Sequence, residues 1–294
     1  MHIETLRIFC DLADSRSFSK TAEKHLLSQS AVSQQLAQLE LVHKCQLVTR
    51  KKRPIELTSA GQLFYKAAKD ILERYDQLRS ELSTLQARTE NRINVAAIFS
   101  IGMHSLPDYV KKFMVSCPDV HVHIEYLSAE KIYTQVLSGE VDIGIVAVPK
   151  KDKRLEVYDF DEEPLVLACS PRHPLAKETE VDIHKLQFER FIAFEKDVPT
   201  RVWIDGILSR YSAAVRPAME FDNIETIKRA LEINAGISIL PEPAIVQEVA
   251  GGTIKAVPFS NERLVRPTGI IIRKGRALSQ AGRYCVELLR KQPR

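Results

Sequence analysis

Few residues in this chain are spaced to do chemistry, and no set of them reads as catalytic. His121, His123 and Glu125 alternate with Val120, Val122 and Ile124, which puts three polar groups on one face of a strand. Two histidines and a carboxylate could begin a metal site, but no fourth ligand is in view. The alternative is a solvent- or subunit-facing strand edge. No GxSxG, phosphate loop, GxGxxG or HExxH occurs, and no nucleophile is paired with a base at a recognisable spacing. The expectation is therefore a protein that is not an enzyme, with no metal and no cofactor. A second group of residues offers hydrogen bonds rather than reactivity. Ser28, Gln29, Ser30, Ser33 and Gln34 fall within SQSAVSQQLAQLE, a segment whose first acid is Glu40. Gln can bind adenine bidentately, and Ser pairs with several base edges.

Three helical segments must position those side chains. Ile3, Leu6, Phe9, Cys10 and Ala13 recur at helical spacing over residues 3–14. A short helix follows from about Ser19 to His25, then a tight turn at Leu26-Leu27-Ser28, with Ser28 as N-cap of the third helix. There Val32, Leu36 and Leu39 form the buried stripe, opposite Ser30, Ser33, Gln34 and Ala37. A plain solvated helix is the alternative, but solvated faces favour Lys and Glu. The pattern reads as a helix-turn-helix whose third helix enters a major groove.

Between Lys44 and Arg53 lie five basic residues and no acid. Arg50, Lys51, Lys52 and Arg53 stand at the tip of two short strands, a wing facing phosphates or a minor groove. Ser59-x-x-Gln62 fits a capping box and opens a long helix. Its apolar positions, among them Leu63, Phe64, Ala67, Ile71, Tyr75, Leu78 and Leu82, alternate by three and four for about 40 Å at 1.5 Å per residue. So long a stripe predicts a coiled contact between subunits, the alternative being packing along its own C-terminal domain.

Beyond the polar hinge TLQARTENR the texture becomes βαβαβ, a parallel sheet covered by helices. A second such unit begins near Pro164, and GIIIRK with a final helix could return to the first, making two lobes with a cleft between them. The expected divisions are 1–58 for DNA binding, 59–90 for the linker helix and hinge, and 91–294 for the two-lobed domain. Lobe I takes 91–162 and 266–294, and lobe II takes 163–265. Ligands in such folds meet strand ends and helix starts. That singles out Phe99, Ser100, Ile101 and Gly102, then Val148 and Pro149, then Thr200 and Arg201. Free amides beside the Ser100 and Thr200 hydroxyls suit a small anion. The alternative is that both hydroxyls merely cap helices, and Asp197 and Glu195 weigh against a strongly anionic ligand.

The chain has 294 residues, a formal net charge of +4 and no run of eighteen or more apolar residues. A membrane-spanning helix is not expected. The N-terminal segment lacks the form of a secretion signal, and five scattered cysteines without CxxC suit reduced thiols, so a cytoplasmic location is expected.

FCDLADSRSFSKTAEKHLLSQSAVSQQLAQLE, LVTR…IELTSAG, LSGEVDIGIV, PLVLACSPRHPLA and GISILPEPAI, in this order, resemble the LysR-type transcriptional regulators across essentially the whole chain. The resemblance implies an α/β protein with an N-terminal all-α winged helix-turn-helix, a dimerising linker helix, and a two-lobed Rossmann-like domain shaped like a periplasmic binding protein. It implies double-stranded promoter DNA, a small-molecule effector and other copies of the chain as partners, as homodimer or homotetramer, with effector contacts at the first and third of the loops above. The chain departs from the family pattern at Thr21-Ala22, Leu47-Val48 and Val42-His43, where members often carry Ala-Ala, Leu-Phe and a glycine.

Overall fold

The computed structural model describes residues 2–49, 54–90 and 92–290. It divides into two compact units, 1–79 and 80–294.

In the first unit, α1 (Ile3–Ser15), α2 (Phe18–Lys24) and α3 (Gln29–His43) enclose a core of Leu6, Phe9, Leu12, Ala22, Val32, Leu36 and Leu39. Apolar residues one helical turn apart line one face of α1 and of α3, and these faces meet in the core, as the spacing predicts. Ser17 caps α2 and Ser28 caps α3, accepting from the backbone of Lys20 and Ala31. Leu26, at φ +54°, makes the turn between the two helices. Thr21 fits in the core because its hydroxyl donates to the Ser17 carbonyl at 2.9 Å. No glycine ends α3; Lys44 takes the left-handed conformation instead, at φ +51°.

The strands β1 (Val48–Thr49) and β2 (Glu56–Leu57) pair antiparallel, and the Glu40 carboxylate accepts from the Leu47 and Val48 amides. The wing-tip residues Arg50, Lys51, Lys52 and Arg53 lie outside the described residues. α4 (Ser59–Glu90) begins one residue earlier than the expected capping box allows. Its N-cap is Thr58, whose hydroxyl accepts from the Gly61 amide at 2.9 Å. Gly61 passes so close to the residue before β1 that a Cβ there would lie 1.9 Å from the Leu47 carbonyl oxygen.

The second unit carries β3 (Arg92–Ala97), α5 (Phe99–His104), α6 (Pro107–Ser116), β4 (His121–Tyr126), α7 (Ala129–Ser138) and β5 (Ile143–Ala147). Then come β6 (Leu155–Cys169), β7 (Phe191–Phe194), α8 (Pro199–Arg210), β8 (Pro217–Phe221), α9 (Ile224–Glu232), β9 (Ile237–Pro241), α10 (Val246–Ala250), β10 (Lys255–Val257), β11 (Val265–Arg273) and α11 (Gln280–Arg290). The sheet runs β4-β3-β5-β11-β6-β9-β7-β8, with β10 also on β6.

β6 is one strand of 15 residues, not a strand starting near Pro164. Its first part pairs antiparallel with β11 in lobe I, and residues 165–169 pair with β9 in lobe II. A proline inside a strand argues against continuity on sequence grounds. Here Pro164 sits where the strand passes between lobes, and the missing amide falls at that crossing. One core gathers Leu167, Phe191, Ile207, Leu231 and Ile239, and another gathers Ile93, Ile143, Phe160 and Ile270. No helix among the described residues is long and apolar enough to cross a membrane.

Candidate functional site

A cavity of about 610 Å³ lies between the lobes of the second unit. Its floor is built on a charged pair. Arg266 on β11 stands opposite Glu163 on β6, and each is 1% exposed. The Arg266 Nε donates to Glu163 Oε2 at 3.0 Å, and Nη2 makes a second, shorter bond to the same oxygen. Ser105 donates to the other carboxylate oxygen at 3.0 Å. Two buried ions are costly unless matched in this way. Arg266 also reaches both lobes: Nη2 donates to Ser100 Oγ on α5 at 3.1 Å, and Nη1 to Thr200 Oγ1 on α8 at 2.9 Å.

Above the floor, lobe I contributes Phe99, Tyr133 and Lys150, and lobe II contributes Phe194, Asp197 and Asn223. The Lys150 amide donates to the Tyr133 hydroxyl at 2.6 Å, and burial raises the phenol pKa. Arg154 binds Asp152 at the rim and holds its carboxyl below the ordinary range.

Phe99, Ser100 and Thr200 thus come together at the cavity, while the other residues singled out for this cleft do not line it. Ile101 is fully buried in the lobe I core, and Gly102 lies under the Tyr126 ring. Val148, at φ +48°, donates its amide to the Pro267 carbonyl, and the Pro149 ring covers Gly269. Their neighbours Ala147 and Lys150 take the cavity positions. Arg201 turns away from the cleft. Its guanidinium donates to the Phe194 carbonyl, Asp205 and Glu220 at 2.6–2.9 Å. Burial would lower its pKa, but the two carboxylates hold it above the ordinary value. Nothing in the local sequence points to Arg266, Glu163 or Tyr133 as cleft residues. Arg266 is a lone charge beside an apolar run, in VRPTGIII; Glu163 is the third of three successive acids in DEEPLVLA, and only the strand register singles it out and joins the two.

In the first unit, Gln29, Ser30 and Gln34 are exposed and Ser33 is half-buried. The Ser28 hydroxyl is engaged locally, at 3.1 Å from the Ala31 amide and 2.8 Å from the Ser30 hydroxyl. His123 and Glu125 meet at 2.9 Å on β4, at the end of the sheet.

α4 has two apolar faces. Phe64, Ala68 and Leu72 pack on the winged domain, with the Phe64 and Phe9 rings edge to face at 5.1 Å. Phe64 therefore does not belong to the stripe expected between subunits. Leu63, Ala67, Ile71, Tyr75, Leu78 and Leu82 remain exposed, Leu63 at 74% and Leu82 at 57%.

The "Probable RuBisCO transcriptional regulator" of Cyanidium caldarium is 31% identical over 294 residues, covering 98% of this chain and 93% of the relative. Full-length BenM superposes with a TM-score of 0.61 at 22% identity, over 99% of this chain and 96% of that one. The regulatory domain of Synechocystis PCC6803 CcmR, solved in complex with 2-PG, has a TM-score of 0.62 at 26% identity, over 68% of this chain and 95% of that one. A family profile described as "Bacterial regulatory helix-turn-helix protein, lysR family" matches residues 3–62, and one described as "LysR substrate binding domain" matches residues 86–294. Matched in order by both profiles, this chain belongs to the LysR family of transcriptional regulators.

Proposed function

We propose that this protein binds promoter DNA through α3 in the cytoplasm, and that a small organic anion in the interlobe cavity modulates that binding. The observation that carries the DNA reading is the exposed, uncharged face of α3, where Gln29, Ser30 and Gln34 stand clear of the core. Amide and hydroxyl groups at the start of a helix suit base edges in a major groove, with Ser28 and Ser33 alongside them. Arg50, Lys51, Lys52 and Arg53 would hold phosphates, adding affinity and salt dependence without sequence choice. The exposed face of α4 would join two copies.

The cleft supports binding rather than catalysis. Ser100 and Thr200 hydrogen-bond to a guanidinium, which can donate but cannot take their protons. An anion is supported by those hydroxyls and by Lys150 at the rim.

Selection of genomic fragments by the purified protein, followed by sequencing, tests the reading. One partly palindromic motif is expected. Gln29→Ala should flatten it by about 1–3 kcal/mol per lost bidentate contact, whereas Arg50→Ala should weaken all DNA alike. Absence of any sequence preference at low salt would overturn it.

A further inference from the structure

The polarity of the cavity floor narrows what can sit on it. A guanidinium has five hydrogens to donate. In Arg266 four are committed, two to Glu163, one to Ser100 and one to Thr200. No two-pronged face is left for a phosphate, and Glu163 cancels the charge.

The hydroxyls are oriented by the same bonds. Because Arg266 only donates, Ser100 and Thr200 accept, and each keeps its own hydrogen for another acceptor. Ser100 is 7% exposed and Thr200 2%, and the side-chain hydrogen bonds found for the two hydroxyls among the described residues are those they accept from Arg266. Tyr133 repeats the pattern: it accepts from the Lys150 amide and keeps its phenol hydrogen. Buried donors without an acceptor call for one from a ligand. Over the whole lining, Lys150, Lys151, Arg154 and Arg266 are matched by Glu130, Asp152, Asp197 and Asp222, and on the lobe II wall the Asp197 and Asp222 carboxylates accept hydrogen bonds and repel further negative charge. The cavity, at about 610 Å³, is also far roomier than an inorganic ion requires.

We propose that the cleft selects a singly charged organic acid. One carboxylate sits between Ser100 and Thr200, and a hydroxyl or ammonium group on the same molecule donates toward Asp197 and Asp222. Phosphorylated forms of such acids are rejected. This inference rests on the reading of the cleft as the effector site.

Calorimetry on the full-length protein with matched pairs of probes tests the inference: shikimate against shikimate 3-phosphate, glycerate against 3-phosphoglycerate, and serine against phosphoserine. The expected result is binding of at least one unphosphorylated acid, at least tenfold tighter than its phosphorylated partner and weakened tenfold or more by Thr200→Val. Asp197→Asn, at an exposed position that buries no unpaired charge, should narrow the gap. Glu163→Gln, which unmasks Arg266, should close or reverse it.

If the phosphorylated member of a pair binds more tightly to wild type, or if neither Asp197→Asn nor Glu163→Gln changes the ratio, the charge selection is wrong and the effector site stands. If no probe binds wild type or either variant, or if binding ignores Thr200→Val, the cleft is not the effector site and both readings fall.

Discussion

Arg266 and Arg276 are both buried guanidiniums set to different uses. Arg276 pairs with Asp142 and donates to the Gly139 carbonyl, closing the C-terminal end of α7. Arg266 spends its spare hydrogens on one hydroxyl from each lobe. A second bridge lies nearby, where His104 on α5 meets Glu225 on α9 at 3.0 Å. The buried Lys228 ammonium lies 2.9 Å from Glu225 and 2.8 Å from Glu248. Burial alone would raise the Glu225 pKa, but the bonds from Lys228 and His104 outweigh it and hold it below the ordinary glutamate value. Because the folded pKa is depressed, the stabilisation is present above the unfolded value and is lost as pH falls through the folded one. Urea midpoints should therefore separate wild type from Glu225→Gln at pH 6, and the two should converge as pH drops below about 4. A constant difference across that range would contradict the assignment.

Ser100 and Thr200 were legible in the sequence because a hydroxyl at a helix start advertises itself. Arg266 was not, since one arginine beside an apolar strand looks the same whether it faces solvent or a buried carboxylate. Arg201 misled for the related reason that spacing does not say which way a side chain turns.

α4 shows how an element can hide two functions in one pattern. A three-four alternation sustained over many turns reads as one stripe, yet it contains two. One stripe, through Phe64, Ala68 and Leu72, completes the winged domain; the other, from Leu63 to Leu82, is exposed. An exposed apolar strip of this length invites a partner helix. Replacing Leu78 and Leu82 together by Asp should halve the mass of the assembly or its subunit pair in light scattering, while the circular dichroism of the winged domain is retained. An unchanged mass would place the contact elsewhere. Among the strands, the alternation of apolar runs and amphipathic helices revealed the parallel pairs β3–β4 and β3–β5, which are local in sequence. The β6–β11 pairing joins residues about a hundred positions apart, and no local pattern carries it.

At the scale of the whole molecule, the order of segments was the most legible feature, because composition and periodicity change at each boundary. Two compact units follow one another along the chain. A fragment of residues 80–294 should unfold in a single cooperative transition and keep the probe binding of the intact protein, with no retention on DNA. Loss of folding in that fragment, read by thermal denaturation, would mean that the two units depend on each other.

The placement of β11 has a consequence for how the protein is made. It lies between β5 and β6, so the lobe I sheet has a gap until residues 265–273 have been added. Lobe II needs only the stretch from β6 to β10, which is continuous in sequence. On the ribosome, where chains fold as they emerge, lobe II completes its sheet first although lobe I was begun earlier. Until β11 arrives, β5 waits with an open edge, the kind that pairs with the wrong neighbour. The arrival of β11 wedges the strand that carries Arg266 into that gap, so the cavity floor and this inner strand of the sheet form in the same step.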